Sequence, residues 1–227
     1  MRAPMFLSPD EHIRVSQAVA RAEAGTSGEI VTILAERSDD YTDVVLAWAS
    51  VLSLLILTTL AVAPDFYLQG IEWLAGGWVH EWAPGELFTI SAVLAATTFG
   101  ATLALQMIPA LRFALIPRSI KAARVHERAL RAFRIGAEQR TTGRTGVLIY
   151  LSMREHRAEV LADAAIASKV DAGVWAEALE ALLGHVRKGD VAAGMCAAVE
   201  RIGNVLAEHL PRQKDDVNEL PDRLIEV

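Results

Sequence analysis

The sequence predicts an α/β domain, a small sandwich with a central β-sheet and flanking helices, interrupted after its first strand by a two-helix transmembrane hairpin. Three observations carry that prediction. The Ile- and Val-rich run 29–35 has strand character but no strand beside it before the chain turns apolar. Two runs without a single charge, 44–63 and 87–111, match the roughly 20 residues a helix needs to cross about 30 Å of hydrocarbon. Strand patterning then resumes at 147–151 and 159–162, so the lone first strand finds neighbours only after the chain returns.

The elements follow in order. Ser8 with Pro9 and Glu11 spells a capping box, and Val15, Ala18, Val19 and Ala22 recur at helical spacing up to the stop at Gly25, predicting a helix over 9–24. The two apolar runs are too long and too uniformly uncharged for core helices, which keep a polar face. In the second, Ala92, Ala96, Gly100 and Ala104 fall four apart, a small-residue seam suited to packing against the first span or a second subunit. Residues 65–86 carry four acidic groups and no Lys or Arg, with Phe66, Tyr67, Trp73, Trp78 and Trp82 placed as headgroup anchors. Basic residues follow the second run at once, so the hairpin is expected to leave both termini in the cytoplasm. Lys121, Arg124, Arg128 and Arg131 share one helical face, predicting a juxtamembrane helix able to meet anionic headgroups.

The strands at 147–151 and 159–162 read as a hairpin pair. Asp171 caps a helix with Trp175, Ala178, Leu179, Leu182 and Val186 on its apolar face. Asp190 caps another with Met195, Val199, Ile202 and Leu206, ended by Pro211. The expected division is therefore 1–43 and 141–212 as two parts of one cytoplasmic domain, 44–63 and 87–111 as spans, 64–86 as a short external loop, 112–140 as the basic helix and 213–227 as an acidic tail. In that tail Leu220 and Leu224 look too isolated to join a core.

Charge and cysteine usage narrow the function classes. The net charge of −6 argues against nucleic acid as partner, while residues 112–140, with eight Lys or Arg against two Glu, form a basic island in this acidic chain. The single cysteine, Cys196, excludes an intrachain disulfide and a Cys-based zinc cluster, and its apolar helical setting reads as packing. Residues 1–7 are too short for the apolar region of a secretory signal.

The stretches TSGEIVTILAERSDDYTD and TTGRTGVLIYLSMREHRAEVLADAAIASKV, the tryptophan at 175, and the tail HLPRQKDDVNELPD resemble the TPM-domain family in its bacterial membrane-protein branch. The resemblance implies an α/β sandwich with helices on a central sheet. Its members include thylakoid-lumen proteins tied to photosystem repair, some described as acid phosphatases, and animal membrane proteins that modulate receptors.

Metal-assisted hydrolysis of a phosphate ester needs clustered carboxylates. The candidates are Glu29 at a strand start, Asp39, Asp40 and Asp43 beyond its end, and Asp163 after the second late strand, where Ca²⁺ or Mg²⁺ would be the ion of choice. The bland reading makes them solvated turns and caps. TTGRTG lacks the Lys-Ser/Thr ending of a phosphate loop and precedes a strand, so it reads as a turn. The six histidines show no metal-pair spacing. Two function classes remain: a non-catalytic interaction or assembly module at the inner face of the membrane, working with a membrane-protein partner or a second copy, and a metal-dependent phosphatase for small esters.

Overall fold

The computed structural model describes residues 6–74, 82–135, 145–212 and 222–227. Two compact units emerge, Met1–Asp39 with Arg118–Val227, and Asp40–Pro117. The split expected from the strand count is thus present: the first unit is assembled from both ends of the chain.

In chain order the elements are α1 (Pro9–Glu23), β1 (Glu29–Ala35), α2 (Thr42–Val62), α3 (Pro64–Leu74), α4 (Pro84–Leu105), α5 (Pro109–Leu115), α6 (Arg118–Phe133), β2 (Gly146–Ser152), β3 (Arg157–Ala162), α7 (Ala164–Ala167), α8 (Ala172–Val186), α9 (Val191–His209) and β4 (Ile225–Glu226). The four strands make one sheet in the order β3-β2-β1-β4. β1 and β2 run parallel, with Ile30 opposite Val147 and Leu34 opposite Leu151. A parallel pair requires a long crossover. Here the crossover carries the whole second unit and α6, which is why the chain can leave the domain after a single strand. β3 returns antiparallel to β2 through the tight turn at 153–156.

Every residue of β1 and β2 is buried, because helices cover both faces of the sheet. Ile30, Leu34, Val147, Ile149 and Leu151 pack with Val15 and Val19 of α1, Leu182 of α8 and Met195, Val199, Ile202 and Leu206 of α9. Val31, Ile33, Ala35, Leu148 and Tyr150 on the other face pack against Val125, Ala129 and Phe133 of α6. Alternation along each strand sends odd and even positions to opposite layers. Ser8 accepts from Glu11 N at 3.3 Å and Glu11 Oε2 accepts from Ser8 N at 2.8 Å, closing the predicted capping box. Asp171 and Asp190 cap α8 and α9 through Gly173 N and Ala193 N. Gly203 lets α1 and α9 approach: a Cβ there would lie 2.5 Å from that of Ala22.

Two expectations change here. The basic helix is not spread over 112–140: α5 ends at Leu115, α6 begins at Arg118, and residues 136–144 lie outside the described residues. The apolar stripe of α6 is buried on the sheet, so the helix belongs to the α/β sandwich and cannot lay that stripe into lipid. The tail also contributes more than its composition promised. Leu224 is 5% exposed and joins the core, and Ile225 and Glu226 pair in parallel with Ile33 and Leu34 as the edge strand β4. A lone leucine is an unreliable guide where backbone pairing, invisible to hydropathy, brings a segment in.

In the second unit α2 and α4 pack together along their length. Ser53 Oγ donates to Ala95 O at 3.0 Å and Gln106 Nε2 to Val45 O at 3.2 Å, polar ties between otherwise apolar helices. Ala92, Ala96, Gly100 and Ala104 are exposed, and a Cβ at Gly100 would meet nothing within 4 Å. The small-residue seam is therefore not the face α4 turns to α2. Pro109 opens α5, so the second apolar helix ends at Leu105 rather than at 111. Residues 64–74, expected as loop, form α3, where Phe66 and Trp73 are exposed and Tyr67 OH meets Thr59 Oγ1 at 2.7 Å. Trp82 Nε1 donates to Glu72 at 3.1 Å, and Trp78 lies outside the described residues.

Candidate functional site

Strand register decides where the expected carboxylates stand. Glu29 opposes Gly146 at the amino end of the parallel pair, and Gly146 N donates to Asp163 Oδ2 at 2.9 Å. Because β3 runs antiparallel, Ala162 lies beside Val147, and Asp163 is returned to the end where β1 begins. Asp39 follows the other end of β1, beyond the pairing of Ala35 with Ser152. Seven strand residues separate the two ends by about 20 Å. Asp40 and Asp43 belong to the second unit, Asp43 in the first turn of α2, where a negative charge suits the helix dipole. The expected meeting of Asp39 with Asp163 does not form, because the two stand beyond opposite ends of the sheet. Among the described residues no three His, Cys, Asp or Glu side chains come together to hold a metal ion. Two of the expected carboxylates have local work instead: Asp163, 4% exposed, closes the strand-start amide, and Asp39 pairs with Arg124 Nε at 3.1 Å.

Glu29 does line a pocket. It is about 210 Å³, enclosed by Ala20, Glu23 and Ala24 at the end of α1, Thr26, Arg212 and Asp222. Helix α1 ends at Glu23 with Ala24 as its cap rather than with a left-handed Gly25, and the chain turns through Thr26, whose hydroxyl donates to Leu210 O at 2.7 Å and accepts from Gly28 N at 3.0 Å. Glu23 Oε1 accepts from Ile30 N at 2.7 Å, fastening the helix end to the strand. Burial pushes the Glu23 carboxyl up to about 8; the Ile30 amide opposes the shift, while the charges of Glu29 and Asp222 and a hydrogen bond with Asp222 add to it. Glu23 is thus a carboxylic acid at neutral pH, able to donate as well as accept.

The carboxyl end of the parallel strands holds a second polar group, buried and without charge repulsion. Ser38 Oγ lies 3.1 Å from Tyr150 OH and donates to Ser152 Oγ at 3.0 Å. Ser152 Oγ donates to Glu155 Oε2, whose other oxygen accepts from Ser38 N at 3.3 Å. Burial raises the Tyr150 phenol, against the Ser38 hydroxyl and the Arg128 guanidinium. Ser152 and Tyr150 are fully buried, so this network locks the β2–β3 turn to the chain leaving β1 and presents no nucleophile to solvent.

Of the expected basic residues, Arg124, Arg128 and Arg131 follow one another along one side of α6, with Arg128 and Arg131 exposed and Lys121 half-buried. Arg124 is engaged with Asp39 and Glu127. Glu23 and Asp222 escaped the sequence reading, as did Ser38, Tyr150, Ser152 and Glu155. Only the spacing of two glutamates around TSG, E-x-x-x-x-x-E, hinted at Glu23, and nothing local marked Asp222 or the network.

Residues 103–205, from the end of α4 through most of α9, match the family model described as the TPM domain. Over that segment the chain is similar to the TPM domain. The match omits α1 and β1, the elements that the hairpin separates from the rest of the α/β unit. No curated protein matches the chain. Among solved structures, the NMR structure of the BA42 protein from the psychrophilic bacterium Bizionia argentinensis is similar, with a TM-score of 0.56 and 18% identity over 100% of this chain and 99% of that one. At that identity the likeness is one of fold.

Proposed function

We propose that this TPM-domain protein is anchored in a bacterial inner membrane by α2 and α4, with both termini cytoplasmic, and that its α/β unit is a non-catalytic interaction module serving the assembly or quality control of a membrane complex. The observation that carries the reading is the exposure of the two long apolar helices. Only 17% of the most apolar window of α2 and 6% of that of α4 is buried in protein, against a mostly buried window in a soluble core helix. Leu54, Leu55, Phe88 and Val93 stand exposed on them, side chains that hydrocarbon would cover at no cost. The basic side of α6 supports contact with anionic headgroups, each cation contributing on the order of 1 kcal/mol near such a surface. The separation of the acidic residues to both ends of the sheet weighs against a metal-dependent phosphatase.

Reporter fusions test the topology: one joined after Val227 is expected to behave as cytoplasmic, and one inserted at Gly76 as external. An external C-terminus overturns it. A chromogenic phosphate ester offered with and without Ca²⁺ or Mg²⁺ tests the chemistry. Metal-dependent turnover lost in Asp163→Asn would replace the interaction reading by the hydrolytic one.

A further inference from the structure

We propose that residues 222–227 form a pH-released strap, held on the edge of the sheet while Glu23 is protonated and let go when Glu23 ionises. Three separate elements deliver carboxyl groups to the 210 Å³ pocket: Glu23 ends α1, Glu29 begins β1, and Asp222 stands three residues before β4. Asp222 is the one not carried on a helix or strand, so of the three its place depends least on regular backbone pairing. Among the described residues that line the pocket, the cation is Arg212, whose Nη1 also donates to Ala24 O at 3.4 Å. With Glu23 protonated, two negative charges face that guanidinium; with Glu23 ionised, three do.

The rest of the strap is held by one buried side chain, Leu224, and by a short set of hydrogen bonds. Two residues pair with β1, Val227 N donates to Leu34 O at 3.0 Å, and Glu36 N donates to Val227 O at 2.9 Å. The Glu226 carboxylate accepts from Phe6 N and Leu7 N and meets His12 Nε2 at 2.9 Å. That last pair is a second titratable contact on the same strap, and the test must separate it from Glu23.

The sign is fixed by linkage. Glu23 holds its proton up to about 8 with the strap in place, above the ordinary 4.5. The strapped form therefore keeps a proton that the open form releases earlier, and raising the pH favours opening until the strapped group itself ionises. The opening constant can climb by at most roughly tenfold per pH unit below about pH 8 and levels off above it.

Amide hydrogen exchange of the full chain in detergent reads this directly. After correction for intrinsic base catalysis, the protection factors of Glu36 and Val227 should fall several-fold between pH 6 and 8 and then flatten, while β2 amides keep theirs. In Glu23→Gln the fall should vanish and protection stay high. Asp222→Asn, which removes a repelled charge, should weaken the pH dependence and serves as the independent variant if Glu23→Gln fails to fold. Unchanged wild-type protection from pH 6 to 9 overturns the proposal. A fall of the same size in Glu23→Gln also overturns it, since His12 and Glu226 would then be responsible.

Discussion

The two units treat their hydroxyl groups differently. In the hairpin, Thr58 donates to Leu54 O, Thr89 to Gly85 O, Ser91 to Leu87 O and Thr102 to Thr98 O, each bonding back to its own helix one turn earlier. In the α/β unit, Thr26 reaches Leu210 O across 184 residues, and Ser38 joins Tyr150 and Ser152 from strands more than 110 positions away. A hydroxyl on a long apolar helix has few polar neighbours and takes the nearest carbonyl of its own helix. A hydroxyl at a sheet end can instead tie distant segments together, because water satisfies it until the fold does. The α2–α4 pair adds few cross-helix bonds, and the α/β unit depends on them.

That contrast can be broken first with leucines. Leu34 is fully buried in the sheet core, whereas Leu54 is 63% exposed on α2. Leu34→Ala should lower the stability of the detergent-solubilised protein by about 2–5 kcal/mol in chemical denaturation. Leu54→Ala should stay within about 0.5 kcal/mol. A comparable loss at both positions would mean that the hairpin is packed like a soluble core, and the membrane reading would go with it.

The polar network offers the next test. Glu155→Ala strips Ser38 N and Ser152 Oγ of their acceptor in a buried place, and leaving such groups unpaired costs about 1–3 kcal/mol. Thermal unfolding should show that loss, and Glu155→Gln, which keeps an acceptor, should recover part of it. No change in Glu155→Ala would show the network to be solvated rather than structural.

The smallest effect belongs to the hairpin. Ser53→Ala removes the donor to Ala95 O, and interhelical hydrogen bonds between spans average about 0.6 kcal/mol. The same denaturation assay should place Ser53→Ala near that value. A loss of several kcal/mol would make α2–α4 packing depend on directed bonds and erase the difference between the units.

How much of this was legible varies with the range of the interaction. Ser8, Asp171 and Asp190 announce their helices because a cap is completed within three residues. The apolar runs announce α2 and α4 because length and absence of charge are properties of a continuous stretch. The strand pattern showed even that 29–35 needs neighbours from the later strands, since an unaccompanied strand has no sheet, and 147–151 is the one beside it. It did not show orientation, and orientation decided the site: β3 turning back antiparallel carries Asp163 to the start of β1 and away from Asp39.

The sequence alone therefore determined most of the helices and strands, the two long apolar helices and the split of the α/β domain, because each rests on local periodicity, caps or composition. Tertiary structure alone decided that the tail ends as an edge strand, that α6 turns its apolar stripe to the sheet, and that Glu23, Glu29 and Asp222 share one pocket. The physical reason is range. Hydrogen bonding between strands and the burial of a carboxyl group depend on neighbours up to 199 positions away, Glu23 to Asp222, and no window of the sequence contains both partners.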